Sequence, residues 1–340
     1  MSNRVITDLN LLELIEEYVK REKLLKELKV DRVSRVSFLA QGEYNLNFLL
    51  ESGSKKFVLR LNTGSQMHLN NQIRYEFTAL EALKDTGVTP VPLFIDDSCD
   101  ILPLGMLVME YLPGRSLVYE KDIIKAARIF AQIHQLPVKD DIELIYEESP
   151  LSGIWNECQD MIQLYLDSPS GEDEIKHFIS GLRNKLEKKM YLETDILNLL
   201  PLSIVNTEVN SGNFIIDSET GQSFLIDWEK PLITTPLQDL SHFVVPTTTL
   251  WKTDYQMQNV DRDLFLKTYC QERGRAEFLS EIKEALIIFD QFSAYRGISW
   301  SAMAWVEYQR PNRLLKNEDT FNKIENYLKI DFLKSLFSQI

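Results

Sequence analysis

The sequence predicts an α+β chain in two lobes: a small N-terminal lobe of antiparallel strands plus a helix, and a larger, mainly helical C-terminal lobe. Three observations carry that expectation. Extended apolar segments joined by short turns fill the first third of the chain. Helical periodicity dominates after that, and one β-like island, residues 213–228, interrupts it. The boundary is expected near Glu110 to Gly114, with residues 1–112 forming the first lobe and 113–340 the second.

Leu11, Leu14, Ile15 and Tyr18 recur at helical spacing with Glu and Lys between them, so an amphipathic helix is expected there, with Thr7 or Asp8 as its N-cap. Strands follow over 33–40, 46–51 and 57–61. Gly42 breaks the first pair, and Ser52-Gly53-Ser54-Lys55 joins the second and third as a hairpin. A helix over about 70–84 stops at Gly87, with Pro90 and Pro92 behind it. A last apolar strand, 106–112, ends at Pro113-Gly114. Beyond it, helices are expected over 123–134, 154–166, 175–190, 261–271, 278–294 and 321–336.

The 340 residues are 44% hydrophobic and 26% charged, enough apolar material for a sizeable core. A net charge of -14 argues against non-specific nucleic-acid binding and a polybasic membrane anchor, and no apolar run of 18 residues occurs. Residues 1–113 hold 13 Lys+Arg against 16 Asp+Glu, a balance of -3, which leaves -11 for the rest. Solubility accounts for that acidity, and so does a cationic small-molecule partner. Cys99, Cys158 and Cys270 are scattered and odd in number, and the start lacks a signal-like apolar core, so a reducing, cytoplasmic setting is expected. His68, His134, His177 and His242 have no metal-ligand spacing.

The segment 204–228 carries the chemistry. It places Glu208, then Asn213, then a hairpin, then Asp227 at the end of an apolar run. Phosphoryl transfer from ATP asks for such a set: a carboxylate to accept the proton of the attacking hydroxyl, and an amide oxygen and a second carboxylate to hold Mg2+. Read alone, Asn210-Ser211-Gly212-Asn213 is as readily a plain turn. Asp227 weighs against that, because an unpaired carboxylate between Ile226 and Trp228 would be expensive to bury. In the first lobe, strand alternation puts Arg60 on one face with Val58, and helical spacing puts Glu76 on the apolar face with Ile73, Leu80 and Leu83. Each needs a partner, and each is the other's obvious one. Trp251, Trp300, Trp305 and Tyr308 are read either as core or as walls of an acceptor pocket.

Together, NTEVNSGN, LIDWE, PLQDLSHF, KKFVLRL with Glu76, and VMEYLPG before AQIHQL resemble the aminoglycoside phosphotransferase and choline kinase family, whose fold is protein-kinase-like and bilobal. The resemblance implies an ATP- and Mg2+-dependent kinase acting on a small-molecule hydroxyl acceptor of amino-sugar or amino-alcohol type. It implies Glu208 as catalytic base, Asn213 and Asp227 as metal ligands, and Arg60 braced by Glu76 on the phosphates. Gly42 would lie in the nucleotide loop, Glu110 to Leu112 along the adenine, and Asp239 would be structural. Two positions depart from the family pattern: Asn206 stands where the motif has His, and Glu208 where it has Asp. An extra methylene shifts the carboxylate by about 1 Å, which can cost roughly 100-fold in rate. The alternative is therefore a nucleotide-binding pseudokinase with little or no turnover. A kinase of protein substrates is a third option, but residues 228–250 lack an Ala-Pro-Glu segment. The preferred nucleotide and the oligomeric state are left open.

Overall fold

Leu11, Ile15 and Tyr18 are all buried on one side of α1 (Leu11–Tyr18), as their spacing requires. A computed structural model describes residues 11–309 and 318–339, so the N-cap candidates Thr7 and Asp8 lie outside the described residues. The chain divides into two compact units. The first holds the described residues up to Arg115 together with Lys139–Leu144 and Ile215–Pro231; the second holds Ser116–Val138, Ile145–Phe214 and the described residues from Leu232 onward. The hairpin segment 215–231 lies within 113–340 in sequence, yet it clusters with the first unit. Main-chain and side-chain hydrogen bonds explain this: Leu225 N–H donates to the Val88 carbonyl (2.8 Å), and the Tyr75 hydroxyl donates to the Pro231 carbonyl (2.6 Å).

In the first unit, α1 and α2 (Glu22–Leu28) precede a five-stranded antiparallel sheet. Its strands are β1 (Arg35–Gln41), β2 (Asn45–Ser52), β3 (Lys55–Asn62), β4 (Pro92–Asp96) and β5 (Met106–Glu110), in the order β1-β2-β3-β5-β4. The β2–β3 hairpin is where the sequence placed it, with Gly53 at φ +60 in the first central position of its two-residue turn. Inward residues Leu46, Leu50, Leu59 and Leu61 pack with Leu11, Ile15, Leu24 and Leu28 of the two helices. Helix α3 (Gln72–Leu83) is capped by Asn71, whose side chain accepts from Arg74 N–H, and ends before Gly87 at φ +70. Strand β4 went unread because Pro90 and Pro92 look like breakers. Proline is tolerated in the first position of an edge strand, which is where Pro92 sits.

After β6 (Arg115–Ser116), the second unit contains α4 (Tyr119–His134), α5 (Pro150–Asp167), α6 (Asp173–Glu187), α7 (Glu193–Leu197) and β7 (Ser203–Val205). The hairpin strands β8 (Phe214–Ile216) and β9 (Ser223–Leu225) come next. The second unit resumes with β10 (Leu232–Thr234), paired antiparallel to β7, then α8 (Leu237–Val244), α9 (Pro246–Lys252), α10 (Asn259–Glu272), α11 (Leu279–Tyr308), α12 (Glu318–Tyr327) and α13 (Ile330–Gln339). Helix α11 runs 30 residues, well past Ala294, and the single helix expected over 321–336 is two. Trp251, Trp300, Trp305 and Tyr308 all belong to the apolar core formed by α5, α6 and the C-terminal helices, which favours their reading as core. Among the described residues no helix is long and apolar enough to cross a membrane.

Gly114, at φ +150, lies against the β8 backbone: a Cβ there would come 2.6 Å from the Ile216 carbonyl oxygen and 2.7 Å from Ile215 Cγ2. Gly114→Ala is expected to lose about 1–3 kcal/mol, the usual cost of forcing extra atoms into a packed site. Equilibrium urea unfolding measures it, and an unchanged midpoint would refute this packing account.

Candidate functional site

Arg60, on β3, is the centre of the first unit's polar interior. Its guanidinium is nearly buried, and Nη1 donates to Glu76 Oε1 at 2.5 Å and to Asp227 Oδ1 at 3.0 Å, while Nε donates to Asn47 Oδ1 at 3.0 Å. The pairing expected between Arg60 and Glu76 is therefore present, and Asp227 joins it. Burial opposes the charge on Arg60, but Glu76, Asp227 and Glu229 outweigh it and hold the group firmly protonated. Burial pushes the Glu76 carboxyl up to about 7, with Arg60 pulling it back and Asp227 adding to the rise. Glu76 Oε2 is buried with no hydrogen-bond partner.

Asp227 follows β9 in the left-handed region, φ +66, a conformation that a non-glycine residue holds only when its surroundings impose it. The surroundings here are polar clamps from α3 and β2. Gln72 Nε2 donates to the Glu229 carbonyl at 2.6 Å, and Asn45 Nδ2 donates to the Glu229 carboxylate. Neither Asn45 nor Gln72 was singled out in the sequence, since a lone amide carries no periodic signal.

A cavity of about 170 Å3 opens above Arg60 within the same unit. Ala40, Val58, Met109, Leu112 and Ile226 give it apolar walls, while Arg60, Glu76 and Asp227 make one end charged. Glu110 and Leu112 both line it. Gly42 does not. It sits in the β1–β2 turn, where its N–H donates to the Asn45 carbonyl at 2.8 Å, two residues past the lining Ala40. Small apolar clefts with a few convergent polar groups are the usual form of ligand sites.

Glu208 and Asn213 belong to the second unit. Their loop is held from below by Asp239 at the start of α8, which is wholly buried. Its two carboxylate oxygens accept from Asn206 N–H and Thr207 N–H, each at 2.8 Å. His134, kept neutral by burial, stands 3.4 Å from the same carboxylate and 3.2 Å from the Tyr269 hydroxyl. Thr207 has φ +70, a strained value for a β-branched residue. Asn206 turns its amide oxygen to accept from Glu208 N–H at 3.1 Å, and Asn213 Nδ2 donates to the Glu208 carbonyl at 2.6 Å. The Asn213 amide is thereby fixed, with Oδ1 as its other arm.

Asn213 Oδ1, in the second unit, and the Asp227 carboxylate, in the first, are each hard oxygen donors. Among the described residues no group of three or more His, Cys, Asp or Glu side chains could hold a metal. The sequence reading missed one residue here altogether. Arg296 of α11 donates through Nη1 to the Thr207 carbonyl at 3.2 Å, and grips Glu157 of α5 through Nε and Nη2 at 2.7 and 3.0 Å.

The phosphotransferase enzyme family matches residues 35–279 of the chain. Among solved structures, a choline kinase from Cryptosporidium parvum Iowa II is 14% identical with a TM-score of 0.63, over 90% of each chain. An ethanolamine kinase from Plasmodium vivax is 14% identical with a TM-score of 0.63, over 97% of this chain and 95% of that one. A spectinomycin phosphotransferase in complex with ADP and spectinomycin is 14% identical with a TM-score of 0.58, over 93% and 97%. At such identities the likeness is one of fold, and that fold is the kinase-like one expected from the sequence. No curated protein matches the chain in sequence.

Arg60→Met would leave Glu76 and Asp227 without their shared cation. It is expected to cost about 3–5 kcal/mol, the range for breaking a buried pair from one side. Replacing both partners, Arg60→Met with Glu76→Leu, is expected to restore much of that loss. Urea unfolding of the two variants tests this, and a double variant no more stable than the single one would refute the pairing.

Proposed function

The chain belongs to the phosphotransferase enzyme family and is a small-molecule kinase, and from that premise we propose that it moves the γ-phosphate of ATP, with Mg2+, to a hydroxyl of an amino-alcohol or amino-sugar acceptor. The observation that carries this reading is the buried Arg60, held by Glu76 and Asp227 at the charged end of an apolar cavity. An apolar slot suits a purine, and a fixed cation beside it suits phosphates. In this reading Glu110 to Leu112 flank the base, Arg60 touches the phosphates, and Gly42 shapes the nucleotide loop without lining the slot. Asn213 and Asp227 hold Mg2+, which when bound offsets phosphate charge.

Glu208 accepts the acceptor's hydroxyl proton as its oxygen bonds to the γ-phosphorus and the bond to ADP breaks. General-base catalysis of this kind contributes typically about 10²–10⁴ in rate. Choline, ethanolamine and spectinomycin, named in the relatives, each pair hydroxyl with a cationic nitrogen, and the acidity of residues 114–340 suits such cations. A cytoplasmic setting agrees with three cysteines that are all unpaired.

The pseudokinase reading has one specific observation in its favour. Glu208 stands where the family pattern has Asp, on a loop whose main chain is tied to Asp239, Asn206 and Asn213, so the extra methylene displaces the carboxylate. Turnover decides between the two. Phosphate is expected on a supplied amino alcohol or amino sugar, and Glu208→Gln is expected to cut kcat at least ~100-fold while ATP binding persists. Nucleotide binding with no transfer across the panel would favour the pseudokinase.

ATP with Mg2+ is expected to raise the melting temperature, by the equivalent of about 2.7 kcal/mol at 100 times Kd. Absence of any shift at concentrations well above millimolar would refute the nucleotide site.

A further inference from the structure

Five main-chain polar groups around Glu208 are tied down. Asp239 takes the N–H groups of Asn206 and Thr207, the Asn206 side chain takes the N–H of Glu208, and Asn213 donates to the carbonyl of Glu208. The fifth, the Thr207 carbonyl, is held from α11 by Arg296. That tie matters most, because Thr207 is the residue forced to φ +70 and its carbonyl belongs to the peptide that carries Glu208.

Arg296 itself is not free to move. Its Nε and Nη2 are locked in a two-pronged contact with Glu157, a geometry that lysine cannot reproduce. Only 14% of its side chain is exposed, whereas Glu157 is 39% exposed. Burial opposes its charge, but Glu157, and then Glu208, outweigh that and keep it cationic. All of these residues lie in one compact unit.

We propose that Arg296 is a positioning residue that fixes Glu208 for proton acceptance, acting through the Thr207 peptide and anchored from behind by Glu157. The inference rests on the reading of Glu208 as the base. A glutamate has one more rotatable bond than the aspartate of the family pattern, so its carboxylate is harder to hold in one place. Pinning the peptide that precedes it restores part of that restraint.

The test uses the full chain with Arg296→Met, Arg296→Lys, Glu157→Gln and Glu208→Gln. Two readouts are taken: amide hydrogen exchange over 206–209, and ATP- and Mg2+-dependent phosphoryl transfer to choline, ethanolamine, an amino sugar and water. Arg296→Met is expected to speed exchange over 206–209 at least tenfold while exchange in α5 and α8 stays near the parent's. It is also expected to lower kcat at least tenfold with KM for ATP within twofold. Arg296→Lys should recover part of kcat, and Glu157→Gln should fall between the parent and Arg296→Met.

Unchanged exchange over 206–209 overturns the inference. So does faster exchange with parental kcat, since Arg296 would then be structural only. Turnover that survives in Glu208→Gln, or is absent from the parent, overturns the reading of Glu208 as base and the inference with it. A dead Glu208→Gln beside a fully active Arg296→Met sinks the inference alone. If Arg296→Met fails to fold, Glu157→Gln carries the same comparison, and parental exchange and kcat in that variant overturn the proposal.

Discussion

A guanidinium buried in the middle of a β-sheet constrains everything around it. Leaving Arg60 unpaired would cost several kcal/mol in desolvation, so the chain must bring carboxylates to it. Glu76 arrives from α3, 16 residues on, and Asp227 from beyond β9, 167 residues on. One charge thus ties a strand, a helix and a distant hairpin into a single unit. It explains why 215–231 sides with the first unit although it follows about a hundred residues of helical chain. The arrangement is not the most stable one available. Glu76 Oε2 has no partner, and burial drives the carboxyl up to about 7. Matched apolar residues would often serve stability as well or better. On the proposed reading, that pair, at the end of a cavity, is the fixed charge that the phosphates would meet.

The second unit solves a related problem with the opposite sign. There a buried carboxylate, Asp239, satisfies two backbone donors and so holds the turn at Asn206 and Thr207. The non-glycine residues at positive φ include Thr207 and Asp227, one beside Glu208 and one itself a candidate ligand. Each such residue costs of order 1–3 kcal/mol and persists only when its neighbours over-determine it. Both are over-determined: Asp239 and Arg296 clamp Thr207, and Arg60 clamps Asp227. Strain and clamps coincide at the two places where the sequence concentrated its oxygen donors.

What could be read from the sequence was what repeats or what stands out chemically. Arg60 and Glu76 were legible because period-2 and period-3.6 patterns each assign a face, and a charge on an apolar face demands a partner. Asp227 was legible as a lone carboxylate in an apolar run. The hairpin at 213–228 was legible as well, but its allegiance to the first unit was not, since that depends on Val88, Gln72 and Tyr75, which no local pattern marks. Arg296 was lost for a different reason. The apolar pattern of α11 breaks at Arg296-Gly297, so the helix read as ending at Ala294, whereas packing against α5 and α8 carries it through to Tyr308. Gly42 marked the loop correctly as a turn, but the turn's position relative to the cavity follows from strand register, with a bulge between Phe38 and Ala40 that alternation alone does not foretell.

The glutamate at position 208 gains meaning from this setting. Were its backbone loose, the extra methylene relative to aspartate could be absorbed by a shift of the loop. The ties to Asp239, Asn206, Asn213 and Arg296 remove that freedom. The added length must then appear at the carboxylate, on the order of 1 Å further from the loop. For a base, that moves the point of proton acceptance outward and asks the acceptor's hydroxyl to sit correspondingly further from the loop. On the proposed reading, then, Glu208 is coupled to the shape of the acceptor: a loop this firmly held favours an acceptor that reaches the carboxylate where the longer side chain presents it.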